Sequence, residues 1–248
     1  MYINTTGIVL RETAYKESSK ILTVLTTGEG KLTVTARGAL RKGSKLTAAT
    51  QLLAFSDMTL LRNRDRWTMT EARSQEQFIG LRYDVTLLAL GAYIAELTEA
   101  VADEDSPSAE LLPLCLNALY ALSEKKRKPE FVKPVFELRL MVVSGFSPLL
   151  EQCSACGSET PERAFLDLIG GTILCGECKS ADNILLGAGA LHAARHIVGC
   201  DPKRLFSFTL SDSARSELGR AAEGYLLAQL DRSFHTLDYY KRIMQGNR

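Results

Sequence analysis

Two cysteine pairs constrain this chain more than any other feature of its sequence. Cys153 and Cys156 form one C-x-x-C motif, Cys175 and Cys178 form a second, and eighteen residues separate the two motifs. Two short chelating loops at this separation can place four thiolates at the corners of a tetrahedron, which is the geometry of structural zinc. The spacing therefore predicts one structural Zn²⁺ bound by these four cysteines, in a small module whose folding depends on the metal.

Other chemistries of cysteine fit the pattern less well. Disulfides need an oxidising compartment, and the N-terminus has no basic region followed by an apolar run, so a cytoplasmic location is expected. A C-x-x-C can be a redox pair, but two pairs at zinc-ribbon spacing favour metal binding. Four thiolates also leave no open position for a water, which disfavours catalysis at the metal. Cys115 and Cys200 stand alone in apolar surroundings and are predicted to be small core residues.

Charge is distributed unevenly along the chain. The whole chain carries a net charge of +1, but residues 1–80 have 12 Lys and Arg against 7 Asp and Glu, a net charge of +5. The net charge is −3 over residues 81–150 and −1 over residues 151–248. The N-terminal part is therefore where a polyanion should dock. No apolar stretch reaches the roughly 18 residues of a membrane helix, so no membrane partner is expected.

The N-terminal part shows the period of two that is typical of strands. Leu32, Val34 and Ala36 alternate with polar residues between Lys31 and Arg37, as in a half-buried strand. Similar runs predict five strands, at residues 6–11, 21–26, 31–37, 56–62 and 67–73. Five short strands in about 75 residues fit a small closed barrel, of which the OB-fold is the common five-stranded form. Other small barrels remain open from the pattern alone.

Helical periodicity replaces this pattern after residue 81, so the fold class is α+β. Leu87, Leu90 and Ile94 recur on one helix face, Ser106-Pro107 predicts the start of the next helix, and Gly145 the end of a third. Residues 187–198 and 211–231 are also predicted to be helical. The predicted domains are an OB-fold domain at 1–80, a helical domain at 81–150 and 182–248, and an inserted zinc module at 151–181.

Motifs for nucleotide hydrolysis and other catalysis are missing or defective. The run from Gly38 to Lys45 resembles a phosphate-binding loop, but Ser44 and Lys45 stand in the wrong order for G-K-[ST]. His192 and His196 could share a metal, but no third ligand is in sight, and helix-surface histidines are the commoner case. We therefore expect a protein that is not an enzyme.

Basic side chains cluster in the predicted barrel and its connections. They are Lys31, Arg37, Arg41, Lys42, Lys45, Arg62, Arg64 and Arg66. A solvated charged surface is the ordinary alternative, but the 37–45 loop carries no acidic residue, and small barrels often bind single strands on one face. Aromatic residues are sparse here, so phosphate neutralisation should dominate over base stacking, and binding should depend strongly on salt.

Short stretches over most of residues 1–200 resemble a known family. They are Thr6–Arg11 with Tyr15–Thr23, Gly30-Lys31 leading through Thr35–Gly38 to Ser44-Lys45, Ala95–Leu97, Phe136–Leu140 and Cys153–Gly157. Together they resemble the bacterial DNA repair protein RecO, a family of recombination mediators, and the cysteine stretch fits its zinc-binding members.

The resemblance implies an N-terminal OB domain, a helical domain and an inserted zinc module. It also implies a protein that binds single- and double-stranded DNA, anneals complementary strands, and works with RecR, in some bacteria also with RecF. In that role it loads RecA onto DNA coated by single-strand DNA-binding protein, whose acidic C-terminal tail it recognises, in the bacterial cytoplasm at the nucleoid.

The resemblance also selects contact residues. Lys31, Arg37, Arg41, Lys42 and Lys45 match family stretches and are DNA-contact candidates, whereas Arg62, Arg64 and Arg66 rest on charge alone. An acidic tail should fit a groove between helices with a cation at its lip, for which Lys133 and Arg139 are candidates. Solvated helix charges are the alternative for that pair.

Two other functions compete with this interpretation. One is a zinc-ribbon protein that binds RNA or acts in translation, which only the family stretches separate from DNA repair. The other is an enzyme with a structural zinc, for which the sequence shows no convergent acid and histidine site.

Overall fold

The computed structural model describes residues 1–104, 106–159 and 163–246. These residues form two compact units. Unit 1 contains residues 1–124 and the C-terminal segment that begins at Phe234, and unit 2 contains Lys125–Ser233. The helices before residue 125 and the helix after residue 233 are thus grouped with the N-terminal strands in unit 1. None of the helices in the described ranges is both long and apolar enough to cross a membrane.

Unit 1 begins with a closed five-stranded barrel. Its strands are β1 (Tyr2–Tyr15), β2 (Ser19–Thr26), β3 (Gly30–Ala36), β4 (Phe55–Asn63) and β5 (Arg66–Glu76). The order around the barrel is β1-β2-β3-β5-β4, and β3 and β5 are its one parallel pair. The prediction of a five-stranded OB-type barrel is therefore confirmed.

The barrel interior is filled by alternate residues of its strands. Leu32, Val34 and Ala36 of β3 are buried, as the period of two predicts. They pack in one core with Val24 and with Trp67, which is only 6% exposed. Trp67 is therefore mainly a core residue, and little of its ring is open for a base to stack on.

The chain forms seven helices within the described residues. They are α1 (Ile79–Arg82), α2 (Val85–Val101), α3 (Leu111–Ser123), α4 (Pro129–Val143), α5 (Ala188–Gly199), α6 (Asp212–Leu230) and α7 (His235–Gly246). The Asp84 carboxylate caps α2 by accepting the Thr86 and Leu87 backbone N–H groups at 2.8 and 3.2 Å. The predicted apolar face of α2 is buried. Helix α7 packs on α2 within unit 1, and the Tyr93 ring meets Phe234 edge-on at 6.2 Å between centroids.

Two predicted helix boundaries have different outcomes. Gly145 follows α4 in a left-handed conformation, with φ of 85°, and is the predicted stop. The prediction that Ser106-Pro107 starts a helix is wrong, because α3 begins at Leu111. The local polar contact there comes instead from Ser108, whose hydroxyl accepts the Leu111 N–H at 3.3 Å.

Unit 2 packs three helices with a small four-stranded sheet. The strands β6 (Leu149–Cys153), β7 (Arg163–Asp167), β8 (Thr172–Leu174) and β9 (Ile184–Gly187) lie in the order β6-β8-β7-β9. Helix α4 packs against α5 and α6 and is buried at every position from Phe131 to Met141. Residues 160–162 of the predicted module lie outside the described residues.

Candidate metal centre and nucleic-acid interface

The four predicted cysteine ligands meet at one end of the unit 2 sheet. Cys153 ends β6, and Cys175 follows the neighbouring strand β8, while Cys156 and Cys178 occupy the turns that come next. Because β6 and β8 are parallel, their C-terminal ends lie side by side. All four Sγ atoms lie within 4.8 Å of one another, and those of Cys156 and Cys175 are 3.8 Å apart.

These distances fit a tetrahedral thiolate site. A regular tetrahedron with metal–sulfur bonds of about 2.3 Å has sulfur–sulfur edges of about 3.8 Å. Backbone N–H groups of Cys156 and Cys175 lower the pKa of Cys153 to about 6, so this sulfur is readily a thiolate at neutral pH. The four cysteines could therefore hold a metal ion, and no histidine or carboxylate joins them among the described residues.

The two histidines that could have shared a metal have other surroundings. His192 is exposed on α5. His196 is half-buried, with Nε2 3.4 Å from the Arg204 carbonyl oxygen and its ring 4.9 Å from that of Phe208. The predicted alternative, a helix-surface or packing role, describes both residues.

A groove of about 760 Å³ opens on the barrel where several strands begin or end. It is bounded by the β1–β2 turn, the start of β2, the middle of β3, the loop after β3 and the β4–β5 hairpin. The positively charged residues that line it are Lys16, Arg37, Arg41 and Arg66, and we call this site the barrel groove. Asp65 is its one acidic lining residue.

The loop after β3 folds back so that two arginines face the same groove. Gly38 adopts a φ of 70°, and its carbonyl accepts the Arg41 N–H at 3.1 Å, which closes a tight turn between Arg37 and Arg41. Neither arginine, nor Arg66, forms a salt bridge with any described residue. The groove therefore presents cations whose charge is not neutralised by a partner carboxylate at contact distance.

The other predicted DNA contacts are dispersed. The Lys31 ammonium is half-buried and donates to the Glu99 carbonyl oxygen of α2 at 3.1 Å. The Arg62 guanidinium stacks 5.3 Å from the Trp67 ring, whereas Lys42 and Lys45 are exposed outside the groove lining. Arg64 lines an adjoining concavity of about 470 Å³ together with Arg66.

One groove residue was missed by the sequence analysis. Lys16 lines the barrel groove with Tyr15, and its ammonium lies 5.3 Å from the centre of the Tyr15 ring. Its position in the turn between the first two predicted strands is the signal that could have found it, because turns that connect OB strands flank the ligand face.

The two predicted tail-binding cations lie inside unit 2. Lys133 is 9% exposed and bonds Glu137 and Glu223 at 2.7 and 2.8 Å. Arg139 is 7% exposed and donates to the carbonyl oxygens of Ile197, Val198 and Cys200, each at 3.2 Å. The prediction that both cations lie exposed at the edge of a groove is therefore wrong. Both are buried in the interior of unit 2, where a charged side chain needs carboxylate or carbonyl partners of this kind. Tail binding itself remains an untested prediction.

Comparisons with known proteins match nearly the whole chain. Residues 1–78 match the family "Recombination protein O N terminal", and residues 82–238 match "Recombination protein O C terminal". A DNA repair protein RecO of Acetivibrio thermocellus is 33% identical over 98% of this chain and 97% of its own length. The RecO protein of Caldicellulosiruptor bescii is 32% identical over 97% of this chain and 98% of its own length. That of Symbiobacterium thermophilum is also 32% identical, over 95% of this chain and 95% of its own length. The chain therefore belongs to the RecO family of DNA repair proteins.

Proposed function

We propose that this chain acts in DNA repair by binding the phosphate backbones of single- and double-stranded DNA in the barrel groove. The observation that supports this most directly is the convergence of Arg37, Arg41 and Arg66 on one groove, without salt-bridge partners among the described residues. Cations that contact phosphates and not base edges bind any sequence and leave the bases free to pair.

Annealing of complementary strands is the activity that follows. Pairing is thermodynamically downhill, so a protein that screens the repulsion between two strands needs neither ATP nor a catalytic residue. We infer that the chain is not an enzyme, that it works with RecR and in some bacteria RecF, and that it helps to load RecA onto DNA coated by single-strand DNA-binding protein. We also propose that the chain recognises the acidic tail of that coating protein. We expect it to lie in the cytoplasm, at the nucleoid.

The metal that we propose for the cysteine site is one structural Zn²⁺. Four thiolates within 4.8 Å of one another, with one pair 3.8 Å apart, suit zinc, and they leave no coordination position for substrate or water. The expected role of the ion is to stabilise the turns at the ends of β6 and β8, with Cys153, Cys156, Cys175 and Cys178 as its ligands.

Charge reversal in the groove tests the proposal. The double variant Arg37→Glu/Arg41→Glu should lower affinity for a mixed-sequence single-stranded oligonucleotide roughly tenfold or more at moderate salt. The slope of log affinity against log salt concentration should become shallower by about 1.4, because each single-strand phosphate contact contributes about 0.7. Annealing of complementary oligonucleotides without any nucleotide should slow accordingly.

The matched control is Arg73→Glu/Arg82→Glu. It changes the net charge of unit 1 equally, but both arginines are exposed and outside the groove lining. If control and groove variants lose affinity to the same degree, only the total charge matters, and the barrel groove is not the binding site.

A further inference from the structure

A second group of cations lies in unit 2, apart from the predicted DNA contacts of the barrel. It consists of Arg127, Lys128, Lys203 and Arg204, and we call it the unit 2 cation cluster. Arg127 and Lys128 precede helix α4, whereas Lys203 and Arg204 belong to a short 3-10 turn after α5. Seventy-four residues of sequence lie between the two pairs, so only contacts in the fold can connect the segments that carry them.

A continuous stack of rings joins the two parts of the cluster. The Arg127 guanidinium lies 5.2 Å from the centre of the Phe131 ring, and that ring is 5.0 Å from Phe208. Phe208 in turn meets the His196 ring at 4.9 Å, and His196 Nε2 is 3.4 Å from the Arg204 carbonyl oxygen. Cation–π and aromatic contacts of this kind hold the backbone segments that carry the cations.

The backbone beneath Lys203 and Arg204 is held by polar contacts as well. The Asp201 carboxylate accepts the Lys203 N–H at 2.8 Å, and the Arg204 carbonyl oxygen accepts the Ser207 hydroxyl at 2.7 Å. Both basic side chains are nevertheless exposed, as is Lys128. A fixed backbone with exposed cationic side chains lowers the conformational entropy lost when an anion binds.

The cations of the cluster are also not held in ion pairs. None of its four cations forms a salt bridge with another described residue. Asp201, whose carboxylate accepts the Lys203 N–H and keeps its negative charge, lies beside the second pair, and Glu130 is the nearest acidic residue in sequence to the first pair, so four cations face two carboxylates. The rings of the stack do not form an open apolar pocket, since Phe131 is 6% exposed. A peptide that needs an apolar pocket for an anchoring side chain is therefore disfavoured, and an extended polyanion is favoured.

We propose that the unit 2 cation cluster is a second binding surface for the phosphate backbone of nucleic acid, separate from the barrel groove. The inference rests on the proposed function, because it supplies the second strand that annealing requires. One chain would then hold two single-stranded segments by their phosphates, and the local concentration of complementary bases would rise without any base-specific contact.

The test counts binding sites on the full-length zinc-loaded chain. The probe is a fluorescent ten-nucleotide single strand of mixed sequence, titrated at low salt and at a protein concentration well above the dissociation constant. Wild type should bind two probes per chain and Lys128→Glu/Arg204→Glu should bind one, with annealing slowed roughly tenfold.

The control Arg163→Glu/Lys179→Glu makes the same charge change at other exposed positions of unit 2 and should keep both probes. Lys203→Gln/Arg204→Gln provides a milder variant, and zinc content and circular dichroism report folding of each protein.

Two results would overturn the inference, and a third would change the proposed function instead. The first is that Lys128→Glu/Arg204→Glu binds and anneals DNA like its control, while Arg37→Glu/Arg41→Glu weakens binding. That result would leave the proposed function intact. The reverse pattern, in which only the cluster variant loses DNA, would instead remove the barrel groove from the proposed function. A ten-residue poly-glutamate peptide that binds wild type more tightly than the oligonucleotide, and not the cluster variant, would show that the surface serves an acidic peptide.

Discussion

The buried charge group around Lys133 permits a quantitative prediction about unit 2. Lys133 bonds two carboxylates, one of which, Glu137, has a side chain with no exposed surface. Burial alone would lower the pKa of Lys133, but the charges of Glu137 and Glu223 raise it above its ordinary value. The substitution Lys133→Met keeps most of the side-chain volume and removes the cation, so Glu137 must either remain ionised in the interior or take up a proton.

Protonation sets the upper limit of the cost. Relative to an unfolded glutamate with a pKa of about 4.3, protonating the side chain at about pH 7 requires roughly 3.7 kcal/mol. This agrees with the 3–5 kcal/mol typical of removing one partner of a buried pair. In the variant, burial without the Lys133 cation disfavours the charged form of Glu137, so the loss grows as pH rises and shrinks as pH falls. At about pH 5.5 the same limit is only about 1.6 kcal/mol. The wild-type contribution of Lys133 is constant over this range, because it is lost only as pH rises beyond about 10.5.

Urea unfolding followed by zinc release and far-ultraviolet circular dichroism measures this loss in unit 2. With a slope of about 2 kcal/mol/M, the unfolding midpoint should fall by nearly 2 M at about pH 7. The double variant Lys133→Met/Glu137→Gln should recover about 2 kcal/mol or more, because no carboxylate remains buried at that position. A loss below about 1 kcal/mol at neutral pH, or an equal loss at about pH 5.5, would contradict the reasoning.

The remaining predictions concern the metal and one close backbone approach. A strong chelator should release about one zinc per chain and unfold the strands around the cysteines, which metal analysis and circular dichroism can measure. The variant Cys156→Ser should have the same effect. A metal-free chain that stays folded through residues 149–187 would refute this prediction. Gly80→Ala should destabilise unit 1 by about 1–3 kcal/mol in unfolding followed by Trp67 fluorescence, because a Cβ there would lie 2.0 Å from the Ser123 carbonyl oxygen. Gly28→Ala is the control, since nothing lies within 4 Å of its Cβ position, and equal losses in the two variants would show that the close approach is not the cause.

Local pattern was sufficient to predict the strands of the barrel. Alternation between Lys31 and Arg37 reports a half-buried strand, because side chains on a strand point to opposite faces in turn. The C-x-x-C spacing likewise predicts that four cysteines converge, and they do. What these patterns could not predict is which strands close the barrel: the parallel pairing of β3 with β5 depends on contacts between residues some 33 positions apart, such as Val34 and Trp67.

Exposure predicted from residue type alone is wrong for two cations of unit 2. Lysine and arginine are usually exposed, yet Lys133 and Arg139 lie inside unit 2. Glu137, four residues after Lys133, was a visible signal of a paired helix charge, but the second carboxylate, Glu223, is distant in sequence. Helix α7 was not predicted, since its buried apolar residues are only Leu237 and Tyr240.

The few exposed rings of the barrel bear on how it could discriminate between nucleic acids. Trp67 is buried beneath Arg62, so Tyr15, which is 41% exposed, is the large aromatic side chain at the barrel groove that is open to solvent. A single stacked base contributes about 1–3 kcal/mol, whereas the salt-dependent contribution grows with every phosphate contacted. Affinity in such a groove should therefore follow strand length and salt concentration far more than base composition. A protein that promotes pairing between arbitrary complementary strands needs this lack of preference, because strong base contacts would compete with the pairing that it promotes.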